Sequence, residues 1–147
     1  MLPRVEYSVT APTTAEELWK AFCDLSRLLG RGIYSEAGWT EGEPWRIGSR
    51  LRYVVLHPLK ATVSAVVTLS EPPTKVGLLN HALGVTAQQL VTFSTLGKDS
   101  TRVVMVMDFV GDSPSLTPSD VAKALQFFTK DALDTMLARW KETSPAR

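Results

Sequence analysis

A chain of 147 residues and 16.2 kDa fits a single domain, and residues 1–147 are expected to form one. Its 44% hydrophobic and 21% charged content excludes a disordered chain, and sixteen basic against fifteen acidic residues supply no bulk field for nucleic acid or an anionic membrane. The one cysteine, Cys23, can neither close an internal disulfide nor build a cysteine-based zinc site, which points to a reducing compartment. No run approaches the roughly 18 apolar residues that span a bilayer, and MLPRVEYSVT lacks the parts of a secretory leader. A cytoplasmic protein without an integral membrane segment is expected.

Residues 4–10, RVEYSVT, alternate Val5, Tyr7 and Val9 against Glu6, Ser8 and Thr10, the period of a half-buried first strand. Ala11-Pro12-Thr13-Thr14 breaks it, and Thr14 with Glu17 three residues later makes a capping-box pattern opening AEELWKAFCDLSRLL. Asp24 or Ser26 can restart the chain before Gly30 and Gly32 stop it, so two short helices are predicted. IYSEAGWT follows as a strand and EGEPWRIGS as a turn. In SRLRYVVLH, Leu51, Tyr53, Val55 and His57 share one face, and Pro58 ends the run. KATVSAVVTLS sets Val63, Ala65, Val67 and Leu69 opposite Thr62, Ser64, Val66 and Thr68, and Glu71-Pro72-Pro73-Thr74 closes it. KVGLLNHAL, VTAQQLVTFSTL and TRVVMVMDFVG come next without the intervening helices that parallel strands need, which predicts an antiparallel meander. After DSPSLTPSD the period changes, with Val121, Leu125, Phe128, Ala132 and Met136 near one face of a long terminal helix. Pro118 with a Ser119 or Asp120 cap marks its start, and Ser144-Pro145 its end.

The order of strand, two short helices, consecutive strands and one long amphipathic helix resembles the START/Bet v 1-like (SRPBCC) superfamily over nearly the whole chain. The V-x-Y-x-V strand followed by APTTAEELWKAFCD is similar to the opening of that superfamily. EPWRIGSRLRY resembles its glycine-marked turn, and SEPPTKVGLL its proline-containing turn before a later strand. The resemblance implies an α+β helix-grip fold: a curved antiparallel sheet of six to seven strands wrapped around the C-terminal helix. It further implies a space between sheet and helix, filled by side chains or by an apolar ligand. The superfamily has no invariant catalytic signature, and none is matched.

Several residues are placed to line such a space. Tyr53, Val55 and His57 share one strand face, Val67 lies on the apolar face of the next strand, and Tyr7 belongs to the first. Met105, Met107 and Phe109 are assigned inward on the last strand, since methionine adapts to irregular surfaces. Leu125, Phe128 and Ala132 are the helix contribution, with small Ala132 leaving room. Polar groups on apolar faces need partners and so can orient a ligand, which singles out Tyr53, His57, Asn80 and His81 as candidates for proton transfer as well. Asn80 and His81 are neighbours, so alternation sends one inward and one outward, and the sequence leaves open which. Trp39 and Trp45 flank EGEP as a pocket lip or a loop anchor. Arg46, Arg50 and Arg52 with Glu41 and Glu43 read as a solvated face, and Asp108 as an exposed or cross-strand charge.

His57 and His81 alone give no metal-ligand spacing, and no nucleophile elbow, phosphate loop or dinucleotide fingerprint occurs, so no metal and no cofactor are expected. The leading expectation is a non-catalytic binder or carrier of a small hydrophobic molecule, with no nucleic-acid partner. The alternatives are a metal-free enzyme of the polyketide cyclase or dehydratase kind and a protein-interaction module with a filled core. An edge strand can also support a homodimer.

Overall fold

A computed structural model describes residues 4–24, 34–56, 60–82, 84–111 and 117–143. The first strand, β1 (Arg4–Ala11), leads into helix α1 (Ala15–Cys23), which Thr14 caps by accepting a hydrogen bond from the Glu17 N–H at 3.3 Å. The second short helix expected after it lies at residues outside the described ones. Six strands follow: β2 (Tyr34–Glu41), β3 (Arg50–Val55), β4 (Ala61–Glu71), β5 (Lys75–Ala82), β6 (Val85–Gly97) and β7 (Ser100–Phe109). Helix α2 (Pro118–Thr143) closes the fold. Its cap is Thr117 rather than Ser119 or Asp120. The Thr117 hydroxyl accepts from the Asp120 N–H at 3.1 Å and the Asp120 carboxylate accepts from the Thr117 N–H at 3.4 Å. Pro118 thus takes the first helical position, where its missing N–H costs nothing.

The strands form one antiparallel sheet in the order β1-β7-β6-β5-β4-β3-β2. Consecutive strands pair from β2 to β7 as a meander, and β1 returns to pair with β7, from Arg4 opposite Asp108 to Ala11 opposite Thr101. A seven-stranded curved sheet with a long C-terminal helix is the helix-grip arrangement. Register shifts between β2 and β3, β4 and β5, and β6 and β7 fit this curvature, because a bulge bends its strand and adds twist. The shift after Val67 takes Leu69 out of full burial, whereas Val67 is 1% exposed. Gly77 sits opposite that shift, and a Cβ there would meet the Thr68 hydroxyl oxygen at 2.9 Å and the Leu69 Cβ at 3.1 Å.

Helix α2 packs on β1, β7 and α1, one side of the concave face. From β7, Val103, Met105, Met107 and Phe109 turn inward, and α2 answers with Val121, Leu125, Ala132, Leu133 and Met136. A second apolar cluster occupies β3, β4 and β5, from Leu51, Tyr53 and Val55 to Val67 and Leu78. Phe128 and Trp45 pack against both clusters. No helix among the described residues is long and apolar enough to cross a membrane.

Because Leu133 is fully buried, Leu133→Ala is expected to lower unfolding free energy by about 2–5 kcal/mol in urea titrations. Phe127→Ala, at a site 45% exposed on the same helix, is expected to change it by about 0.5 kcal/mol or less.

Candidate functional site

The concave face is apolar, so its polar groups stand out. On β5, alternation sends Leu78 and Asn80 inward and Leu79 and His81 away, and Asn80 is buried while His81 is exposed. On β6, Ala87, Gln89, Val91 and Phe93 face inward in the same way. These strands and β3 bring three polar side chains into line. The Tyr53 hydroxyl donates to Asn80 Oδ1 at 2.7 Å, Asn80 Nδ2 donates to Gln89 Oε1 at 2.9 Å, and Gln89 Nε2 donates to Met105 Sδ at 3.4 Å. Opposite Asn80 on β4 lies Ala65, whose single methyl lets the phenol reach over that strand.

From the helix side, the Phe128 ring stacks on Tyr53, with centroids 6.0 Å apart and planes at 18°. Burial pushes the Tyr53 phenol well above its ordinary pKa near 10, so it stays protonated and acts as a donor at neutral pH. The chain Tyr53–Asn80–Gln89–Met105 runs from the second apolar cluster into the first. It crosses the seam that Phe128 and Trp45 bridge.

Trp45 is held at that seam by three contacts. Its indole N–H donates to the Cys23 carbonyl at 2.7 Å, Trp39 meets it edge-on at 5.1 Å, and Phe22 lies 5.8 Å away. Its backbone takes φ 61°, a left-handed conformation rare for an aromatic residue, so the loop is shaped around the ring. Both tryptophans are half-buried.

The inward assignment of Met105, Met107 and Phe109 matches their burial at 0 to 6% exposure, and Val55, Val67, Leu125 and Ala132 are buried as well. His81 belongs elsewhere: its Nδ1 lies 2.9 Å from the Thr86 hydroxyl on the exposed side of the sheet, so it does not converge with Tyr53 and Asn80. Tyr7 is also separate. Its hydroxyl donates to Asp134 Oδ1 at 3.0 Å, and Lys130 bonds the same carboxylate at 2.7 Å while lying 5.8 Å from the Tyr7 ring centre. This cluster ties the edge strand to α2. His57 lies outside the described residues.

Gln89 escaped the sequence reading, although strict alternation in VTAQQLVTF puts it between Ala87 and Val91 on an apolar face. Arg50 pairs with Glu41 and Arg46 with Glu43 in exposed ion pairs, and Asp108 pairs with Arg4 at 3.7 Å. Burial pushes the Cys23 thiol up to about 12, which leaves it a poor nucleophile at neutral pH. Among the described residues there is no group of three or more His, Cys, Asp or Glu able to hold a metal ion.

Solved structures share this architecture. The Zhui aromatase/cyclase of Streptomyces sp. R1128 aligns with TM-score 0.73 and 18% identity over 97% of this chain and 93% of its own. A START superfamily protein of Mycobacterium smegmatis aligns with TM-score 0.78 and 15% identity over 96% and 99%. Ara h 8.0201 aligns with TM-score 0.75 and 11% identity over 97% and 100%. No protein-family model and no curated protein sequence matches the chain. At such identities the likeness carries the fold alone, the helix-grip fold.

Asn80→Ala removes both the acceptor of the Tyr53 hydroxyl and the donor to Gln89, and is expected to cost about 1–3 kcal/mol in chemical denaturation. Tyr53→Phe is expected to cost about 1 kcal/mol, and the double variant less than the sum, because the two residues share one bond. Tyr53 also sets an alkaline limit. Its folded pKa is raised, so its contribution to stability is full below about 10 and falls as pH rises further. In Tyr53→Phe, melting temperature is expected to fall less steeply with pH in that range.

Proposed function

We propose that the protein, acting as a single helix-grip domain, binds a small hydrophobic molecule between the concave sheet face and α2. Apolar burial supplies the affinity, and the Tyr53–Asn80–Gln89 chain sets the orientation. The observation that carries this reading is the buried polar chain crossing the seam between two apolar clusters. A small domain usually has one contiguous core. The three side chains satisfy one another except at the Gln89 amide NH2, which ends on a thioether, and a ligand with a polar atom would complete the chain there. The fold is also of a kind that binds small hydrophobic ligands. Burying about 200 Å² of apolar ligand surface contributes roughly 5 kcal/mol before entropy losses.

Turnover of the cyclase or dehydratase kind is a second reading, favoured by one observation. Tyr53 and Asn80 meet at 2.7 Å in the interior, and a phenol held protonated by burial that turns its single O–H from Asn80 Oδ1 to a substrate carbonyl would polarise that carbonyl. An aromatase/cyclase shares the fold. The polar chain then activates the substrate as well as orienting it.

Native mass spectrometry of freshly purified protein, set against its denatured organic extract, is expected to reveal one stoichiometric small molecule of defined mass. No bound molecule, together with no shift in melting temperature across a lipophilic panel, would overturn the binding reading. Conversion of the recovered molecule on prolonged incubation, abolished in Tyr53→Phe, would establish turnover.

A further inference from the structure

We propose that Gln89 reads a carbonyl oxygen on the ligand, and that the preferred ligand is therefore an uncharged molecule with an apolar body and a ketone, ester or amide carbonyl; this rests on the binding reading above. Gln89 is 3% exposed, and its two ends are unequally served. Its Oε1 accepts a 2.9 Å bond from Asn80, while its Nε2 meets the Met105 thioether at 3.4 Å. An amide NH2 carries two donor hydrogens, and a thioether is a weak acceptor. A buried donor group satisfied in that way lacks a strong acceptor.

The direction of the chain decides which end is left. Tyr53 donates to Asn80 Oδ1, so Asn80 turns its Nδ2 to Gln89, and Gln89 turns its own oxygen back to Asn80. The donor therefore falls at the far end, beside Met105. A carbonyl oxygen is its complement, and the flexible methionine side chain can yield the place.

Position and charge narrow the class further. Gln89 pairs with Leu78 on one side and Met107 on the other, one residue from each apolar cluster. A ligand oxygen at Nε2 thus lies on the seam, with apolar wall to either side. Among the described residues, the residues with buried polar side chains include threonines, Ser49, Tyr53, Asn80 and Gln89, and none of these carries a formal charge at neutral pH. A carboxylate at this place would be buried with no counter-charge, which disfavours it strongly.

The test uses three probes on one apolar frame: 2-acetylnaphthalene, 2-ethylnaphthalene and 2-naphthoate, titrated into the full chain by calorimetry at neutral pH. The ketone is expected to bind about five- to tenfold more tightly than the hydrocarbon, and the carboxylate more weakly than either. Gln89→Leu should erase the ketone's advantage while the hydrocarbon still binds. Equal binding of ketone and hydrocarbon to the unsubstituted protein, or an advantage that survives Gln89→Leu, would overturn the assignment and leave the binding reading standing. If Gln89→Leu does not fold, the comparison in the unsubstituted protein decides alone. Failure of all three probes to bind would overturn the assignment, while the binding reading stands or falls separately on the mass-spectrometric test and the lipophilic panel.

Discussion

The antiparallel pairing of β1 with β7 closes the sheet between the first strand and the last. It joins residues near the start of the chain to residues about a hundred positions later, Tyr7 opposite Met105 and Val9 opposite Val103. Helix α2 rests on that pair, and the Tyr7–Asp134 bond and the Lys130 ammonium fasten it there. Seated on this side, the helix leaves the inner face of β3, β4 and β5 to form an apolar cluster of its own, with Phe128 as the α2 side chain packed on it.

That placement explains why three polar side chains can share an apolar wall. Between the two clusters, Tyr53, Asn80 and Gln89 satisfy one another in sequence, so that most of the desolvation penalty is met inside the protein. The arrangement is graded along its length. At the Tyr53 end, burial and the Phe128 ring hold a neutral phenol in place, and at the Gln89 end a thioether stands where a stronger acceptor would be expected. The chain is therefore firmly bonded at its Tyr53 end and weakly bonded at its Gln89 end.

The aromatic residues around Trp45 serve a related purpose. Trp39, Trp45, Phe22, Phe93 and Trp19 touch in succession from β2 through the β2–β3 turn to α1 and β6. Large rings meeting edge to face span the distance between the turn and the helix with few residues. The indole bond to the Cys23 carbonyl then satisfies the end of α1 and fixes the turn at once.

Strand periods, the Thr14 cap and the long amphipathic terminal helix were legible in the sequence, because each depends on neighbours within a few residues. Alternation also brought Met105, Met107 and Phe109 to the inner face, where each is buried. It did not say whether Asn80 or His81 faced inward, since alternation alone gives two solutions; the register of β5 between β4 and β6 chose Asn80. Alternation likewise put Tyr7 and Tyr53 on inward strand faces alike, yet only the fold set Asp134 beside one and Asn80 beside the other. Gln89 shows the same division most clearly. Its place on an apolar face is a local property, but its meaning comes from Asn80 and Met105, which reach it across strands. By itself, the chain determined its strands, α1 and the terminal helix, and the buried side of those whose alternation is unambiguous. Which polar groups meet was decided by strand register and by the seat of α2, because a hydrogen bond depends on angstrom-scale placement that no sequence spacing encodes.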